Sequence, residues 1–447
     1  MKKILIANRG EIALRIIKTC REMGIESIAV YSHADKDMPF VQEATYSFPI
    51  GEAPVNKSYL NTDAILEVAK REKADAIHPG YGFLSENADF ARTVEKEGIK
   101  YIGPDPNTIE LMGDKIISRK TMADAGVPVV PGSEAGTSTV EEACQLAQSM
   151  GYPVMLKASS GGGGIGMVRC ENEQALTKSF QATKGRAKAY FGSDEVFVEK
   201  FIENARHIEV QIFGDSHGNR VHLFERDCSI QRRHQKVVEE SPSPFLSDGT
   251  KEKMFQTALA AAEAVQYTNA GTIEFIVDEQ ENFYFLEMNT RLQVEHPVTE
   301  QITGLDLVKW QILVAKGEKL PLLQDEIQSK GQSIEFRLYA EDPNTFLPSP
   351  GLIQLFEWKN IEGVRVDYGY QTNSTVTPFY DPMIAKCIIY GDTRQIAIER
   401  AQVFFSEVKI EGIKTNAPLF KEIVRDQDFV AGQYSTSYLV NKAFAVK

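Results

Sequence analysis

Apolar positions open the chain as a short run, Ile4 to Ala7, and then recur at Ile12, Ile16, Ile17 and Cys20 as far as Gly24. The first pattern predicts a buried strand, the second a helix closed by a glycine at its C-terminal end. SIAVY (27–31) returns to a strand, which gives a parallel strand–helix–strand unit. The rhythm repeats with a helix near 61–72, the strand DAIH (75–78), a helix near 87–97 and the strand KYIG (100–103), so a doubly wound parallel α/β domain is expected over residues 1–114. Its first strand is followed by NRGE, with one glycine and no GxGxxG fingerprint, which argues against a nicotinamide-dependent oxidoreductase.

Beyond residue 114 the texture changes. A helix around 115–126 leads into GVPVVPGSEAG, whose prolines and glycines mark a connection between domains. A small α+β unit follows: a helix at 140–150, the strand PVMLKA (153–158), the loop SSGGGGIG (159–166), the strand MVRC (167–170), another helix and the strand EVFVEKFI (195–202). Residues 115–203 are therefore expected to form a linker and a small domain of their own. Residues 204–447, with alternating strands such as HIEVQIFG (207–214) and TIEFIV (272–277), are expected to form a larger mixed α+β domain with an antiparallel sheet.

Two stretches of the large region carry candidate chemistry. In EMNTRLQVE (287–295) the odd positions are Glu287, Asn289, Arg291, Gln293 and Glu295, and the even ones Met288, Thr290, Leu292 and Val294. An extended chain would present carboxylates, amides and a guanidinium along one side. TIEFIV and FYFLEM flank the polar link DEQEN as in a hairpin, and pairing Asp278 with Phe283 places Glu274 opposite Glu287, with Cβ atoms roughly 5 Å apart. Like charges so placed require a cation, and Glu274, Glu287 and Asn289 form an all-oxygen set suited to magnesium or manganese. A register slipped by one residue would separate the carboxylates. The second stretch, ERDCSIQRRHQKVVEE (225–240), is the densest cluster of cations; alternation of Arg232, His234 and Lys236 would put three on one strand face as an anion site, or else the segment is a salt-bridged surface.

The glycine loop lies between strands and lacks the GK[ST] ending of a P-loop. It reads equally well as a loose hairpin and as a phosphate cradle, because glycines let backbone N–H groups approach an anion closely. Lys157, at the end of the preceding strand, favours the cradle, and Lys115 is a weaker second cation.

Composition narrows the class. At 447 residues the chain exceeds a single core, and its net charge of −13 argues against nucleic-acid and membrane-surface binding. Five scattered cysteines show no zinc or disulfide spacing. No window approaches the ~18 apolar residues of a membrane span, and MKKILIANRGE has too short an apolar run for a signal peptide. A soluble, cytoplasmic protein is expected.

Taken together, HPGYGFLSEN (78–87), GGGG (161–164), VEKFIEN (198–204), RHIEVQ (206–211), ERDCSIQRRHQKVVEE, AGTIEF (270–275), EMNTRLQVEHPVTE (287–300) and AEDPNTFLPSPG (340–351) resemble biotin carboxylase of the ATP-grasp superfamily over essentially the whole chain. The resemblance implies that ATP, bicarbonate and biotin become ADP, phosphate and carboxybiotin. By position, Lys115, Lys157, Gly163 and Gly164 would bind the ATP phosphates under a closing lid. Glu199, Lys200, Phe201 and Ile202 would hold adenine, and His207, Gln231 and His234 would line the ribose and phosphate side. Glu274, Glu287 and Asn289 would carry magnesium or manganese ions, two of them in the family pattern. Lys236, Arg291 and the backbone of Val294 would bind bicarbonate, Glu295 would deprotonate it, and Arg337 would stabilise the biotin enolate.

The chain departs from the family pattern at Ile165, where a basic residue usually stands, at Ser160 for glycine and at Tyr339 for asparagine, which puts lid contacts in question. It contains no Met-Lys-Met biotin-acceptor motif and no carboxyltransferase region, so biotin is expected on a separate carrier protein or as free substrate, with carboxyltransferase subunits as further partners. A homodimer is implied, with Lys18, Glu22 and Arg365 as candidate interface residues. The enzymatic rival is an ATP-grasp ligase that activates another carboxylate; the non-enzymatic rival, motivated by Ile165, is a nucleotide-binding regulator.

Overall fold

The computed structural model describes residues 1–133, 136–158, 167–191, 194–442 and 444. The glycine loop, with Ser160, Gly163, Gly164 and Ile165, lies outside the described residues.

The N-terminal sheet is parallel and five-stranded, in the spatial order Tyr46–Gly51, Glu26–Ser32, Lys3–Ile6, Ala76–His78, Lys100–Tyr101. The apolar run of the first strand is buried on both sides because alternate residues serve different cores. Leu5, Ile28, Val30 and Ile77 pack with Ile65, Leu66, Phe90 and Val94 from helices Thr62–Arg71 and Ala88–Lys96. Ile4, Ile6 and Ala29 pack with Ile12, Ile16 and Cys20 from helix Gly10–Glu22, in a core that continues into the large sheet. Asn61 and Asn87 cap their helices by accepting from the backbone N–H of Ala64 and Phe90. The doubly wound reading holds; the edge strand Tyr46–Gly51, interrupted by Pro49, is an element that the apolar pattern did not announce.

The small domain has a three-stranded antiparallel sheet, Met167–Cys170, Val154–Ala158 and Val196–Lys200, covered by helices Val140–Met150 and Glu173–Phe191. Its core is its own: Ala143, Ala147, Val154, Leu156, Leu176, Phe180, Val196 and Val198. The Pro/Gly-rich connection stitches this unit to the large domain. Val129 bridges to Phe285 at the large sheet's edge, while Gly132 and Thr137 bridge to Glu199 and Val196. A Cβ on Gly132 would fall 2.8 Å from the Val198 carbonyl oxygen, so that close approach needs glycine.

The large sheet has eight antiparallel strands in the order Phe283–Asn289, Asn269–Val277, Arg206–Gly214, Arg220–Arg232, Gln235–Ser241, Gln332–Tyr339, Met383–Gly391, Val364–Tyr368. Two details correct the expected register. Phe283 pairs with Val277, not Asp278, so the hairpin starts one residue out. A bulge that leaves Leu286 unpaired then restores Glu274 opposite Glu287, where an unbulged ladder would have set Leu286. The strand also ends at Asn289. Residues 290–295 turn, and Glu295 becomes the residue before helix His296–Thr303. No helix is long and apolar enough to cross a membrane among the described residues.

Candidate active site

One rung of the large sheet carries four charged residues across four neighbouring strands: Arg226 pairs with Glu209, Glu209 with Glu274, and Glu274 with Glu287. Cross-strand partners share a face, so three carboxylates stand in a row with one guanidinium at the end. Arg226 is fully buried; its Nε lies 2.5 Å from Glu209 Oε1 and its Nη atoms donate to Gln211, Thr272 and Thr299. The next strand brings a second cation over the row. Lys236 Nζ donates to Glu209 Oε2 at 2.5 Å, Glu274 Oε1 at 2.8 Å and Glu295 Oε1 at 2.7 Å. Burial alone would raise Glu274, but the Lys236 ammonium and His207, whose Nε2 is 3.0 Å from Glu274 Oε2, hold it well below the usual carboxylate range. For Glu295, burial is likewise overruled by Lys236, Arg337 and Arg226, and the group stays ionised far into acid.

Glu295 is held from both sides, since Arg337 Nη2 donates to its other oxygen at 2.9 Å. Arg291 belongs to the same surroundings but is turned to its neighbours: it donates to Asn289 Oδ1 at 3.0 Å, Gln293 Oε1 at 2.8 Å and Glu86 at 2.8 Å. Gln293 donates in turn to Glu274 at 2.9 Å. The odd-numbered residues of EMNTRLQVE thus converge as expected, yet beyond Asn289 they do so through a turn and not through strand alternation. The carbonyl of Val294 accepts from Lys386 at 2.7 Å, and Lys386 is wholly buried with Glu11 of the first domain 3.3 Å away.

The basic segment also needs correction. Arg232 ends one strand, Arg233 and His234 form the hairpin turn at φ +49° and +65°, and Lys236 lies on the returning strand opposite Gln231. No single strand face carries Arg232, His234 and Lys236. Arg232 packs over Tyr339 and pairs with buried Glu341, while His234 is exposed and Gln231 is buried, donating to the Cys228 carbonyl at 2.9 Å.

On the small domain, Lys157 Nζ donates to Glu199 at 2.5 Å, and Arg119 of helix Lys115–Asp124 lies 3.4 Å from the same carboxylate. Lys200 donates to the Gly151 and Tyr152 carbonyls, and Phe201 stacks under Arg169. Ile202 lies just past that strand and is part-buried. The expected metal residues fit a hard cation: Glu274 and Glu287 oppose each other, Lys115 Nζ stands 3.9 Å from Glu287, and Asn289 completes an oxygen set. Asn289 Oδ1 is engaged by Arg291, and its buried Nδ2 has no hydrogen-bond partner. A second cluster, His207, Glu209 and Glu274, also converges, with the Lys236 ammonium at its centre.

The sequence matches the family descriptions "Biotin carboxylase, N-terminal domain" over residues 1–109, "Carbamoyl-phosphate synthase L chain, ATP binding domain" over 114–323 and "Biotin carboxylase C-terminal domain" over 335–441. It is 57% identical to biotin carboxylase 2 of Bacillus subtilis, over 98% of both chains. The chain belongs to the biotin carboxylase family. Among solved structures, a Campylobacter jejuni biotin carboxylase in complex with "beta-gamma-ATP" superposes with a TM-score of 0.97 at 47% identity, over 99% of both chains. The biotin carboxylase domain dimer of Hydrogenobacter thermophilus 2-oxoglutarate carboxylase, in complex with MgADP, ADP and bicarbonate, gives 0.96 at 47% identity, over 98% of this chain and 97% of that one. The three sheets described above are the ATP-grasp architecture of this family.

Three residues of this biotin carboxylase fold enter the site without having been singled out from sequence, Glu86, Glu209 and Lys386, while Arg226 of the basic segment and Gln293 of the polar face in EMNTRLQVE enter it without having been given a role. Glu209 carried the same signal as Glu274, a carboxylate inside a strand buried along its whole length. Glu86 and Lys386 carried none, because their roles depend on contacts between segments about two hundred and about ninety residues apart. Of the candidate interface residues, Lys18 and Glu22 are exposed, whereas Arg365 is drawn inward by Glu300 and Asp367.

Proposed function

We propose that the chain performs ATP-dependent carboxylation of biotin by bicarbonate, the first half-reaction of a biotin-dependent carboxylase. The observation that carries this reading is the double hold on Glu295, by Lys236 on one oxygen and Arg337 on the other, with Arg291 close by. In that arrangement Lys236, Arg291 and the Val294 N–H would bind bicarbonate. As bicarbonate draws Lys236 away, Glu295 loses a counterion, and its burial then raises its basicity. Glu295 takes the hydroxyl proton; the freed oxygen bonds to the γ-phosphorus, and the bond to the β,γ-bridging oxygen breaks, leaving ADP. The carboxyphosphate so formed breaks to carbon dioxide and phosphate; the released phosphate takes the proton of biotin N1, and N1 then bonds to the carbon of the carbon dioxide. Arg337 stabilises the negative charge on the ureido oxygen while N1 is deprotonated. Glu274, Glu287 and Asn289 would hold magnesium or manganese, whose charge on the phosphates lowers the repulsion against an incoming anion.

The same proposal gives Lys115, Lys157, Gly163 and Gly164 to the phosphates, Glu199 to Ile202 to adenine, and His207, Gln231 and His234 to the ribose side. Lys157 would then exchange Glu199 for phosphate when ATP binds. Residues 1–114, 115–203 and 204–447 would be the working units, with 115–203 as the lid. A biotin carrier protein and carboxyltransferase subunits are the partners, in a cytoplasmic homodimer, with acetyl-CoA in fatty-acid synthesis as the acyl acceptor that we favour. The test is ATP hydrolysis by the purified protein with free biotin: turnover should need both biotin and bicarbonate, and turnover indifferent to bicarbonate would sink the reading.

A further inference from the structure

Arg337 serves two carboxylates at once. Its Nη2 holds Glu295, and its Nε lies 2.5 Å from Glu239 Oε1 on the neighbouring strand. Glu239 is paired in register with Glu335, two residues before Arg337, so a second pair of carboxylates faces across adjacent strands. Both are fully buried. Among the described residues Glu239 has one ion-pair partner, Arg337, and Glu335 has none. No oxygen of either accepts a well-formed hydrogen bond. Three carboxylates, Glu239, Glu295 and Glu335, therefore surround one guanidinium in a closed interior, where an uncompensated negative charge is very costly.

We propose that Glu239 and Glu335 share a proton in the working enzyme and that this pair is the positioning device for Arg337, keeping the guanidinium between Glu239 and the site where biotin reacts. The inference rests on the carboxylase reading above. With one proton on the pair, Glu239 carries a single negative charge that anchors Nε, while Nη2 remains directed at Glu295 and the substrate. With two protons the anchor is lost. With none, the doubled charge draws Arg337 away from Glu295.

The charges that face the pair agree with this. Arg337 and Lys236 stabilise the ionised form of Glu239, Lys386 stabilises that of Glu335, and Glu295 opposes both. Tyr81 from the first domain and Cys228 on the adjoining strand also face the pair, and burial pushes both far up, so they stay neutral. Burial pushes Glu239 up to about 7 and Glu335 well above the carboxylate range, beyond what Arg337 and Lys386 restore. Protons leave such a pair in two separated steps.

The experiment is a pH profile of biotin- and bicarbonate-dependent ATP turnover for the wild type, Glu239→Gln and Glu335→Gln, with an infrared pH titration of the wild-type protein for buried protonated carboxyl. An amide imitates the protonated member of the pair. Glu335→Gln should therefore keep turnover at neutral pH and lose the fall that the pair's second ionisation causes in alkali. Glu239→Gln should lower kcat/KM for biotin at least ~10-fold, a full pH unit's worth of differential stabilisation, and lose the rise through neutrality. The infrared titration should show a protonated carboxyl persisting at pH 7. Wild-type turnover with unchanged profile shapes in both variants, or no such carboxyl band, would overturn the inference while leaving the carboxylase reading standing. Absence of biotin-dependent turnover in the wild type would instead remove that reading.

Discussion

The lysine–glutamate contacts at the two ends of the candidate site have almost the same length and opposite characters. Lys236 on the large sheet is fastened to three carboxylates, Glu209 and Glu274 set by strand register and Glu295 by the turn into a helix, and these are backed by Arg226 and Arg337. Among the described residues, Lys157 on the small sheet has one carboxylate partner, Glu199, with Arg119 as the only other cation on it, and its domain has a separate core. A charge inside a register-set network is prearranged, and moving it requires several others to move. A single pair can exchange its partner for a phosphate at little cost. On the proposed assignment, the bicarbonate end is thus built before substrate arrives, whereas the nucleotide end is completed by it.

The largest expected effect is at the prearranged end. Glu295→Gln keeps the shape of the side chain but leaves Lys236 and Arg337 without their shared acceptor charge. General-base removal predicts a loss of ~10²–10⁴ in kcat for bicarbonate-dependent ATP turnover, with a folded protein by circular dichroism. Activity near the wild-type level would show that the network is only structural. Next comes Arg337→Lys. An ammonium cannot reach Glu239 and Glu295 from one stem as the planar fork does, so kcat/KM for biotin should fall about 100-fold, more than kcat/KM for ATP. Equal losses for both substrates would mean that Arg337 supports the whole site.

At the exchangeable end the effect should be smaller and of another kind. Lys157→Ala removes one cation from the phosphates and leaves Glu199 with Arg119. KM for ATP should rise about 10-fold, worth ~1.4 kcal/mol, with kcat little changed. A loss confined to kcat would contradict the contrast between the two ends, because it would make Lys157 part of the transition-state machinery.

That contrast also explains what the sequence could and could not disclose. Glu274 and Glu287 were legible because each interrupts an apolar strand, and their pairing survived a hairpin that starts one residue out only because Leu286 bulges. The doubly wound first domain was legible because its two cores read as separate periodicities on one sheet. Arg232, His234 and Lys236 misled, since alternation says nothing about where a hairpin turns, and the turn falls at Arg233 and His234. Glu86, Lys386 and the Glu239–Glu335 pair were hidden for a common reason. Each owes its place to strand order or to a contact between domains, and neither is written in local periodicity.

The smallest expected effect separates the carboxylates within the prearranged end. Glu274 and Glu295 are depressed in the folded state, so their contribution to stability is present above the unfolded carboxylate range of about 4 and is lost only as pH falls below it. Between pH 5 and 8 they should give no slope. Glu239, raised to about 7, has the opposite sign: the folded state holds a proton that the unfolded state has released, so stability should fall as pH rises from 5 toward 7. One such group contributes at most ~1.4 kcal/mol per pH unit. Urea unfolding at pH 5, 6, 7 and 8 measures it, and Glu239→Gln should remove the part of the fall that ends near pH 7, leaving the part that Glu335, raised further, carries on to higher pH. If the fall toward pH 7 persisted in that variant and vanished in Glu295→Gln, the proton would sit on the base itself, and the network would be poised differently from the way its contacts indicate.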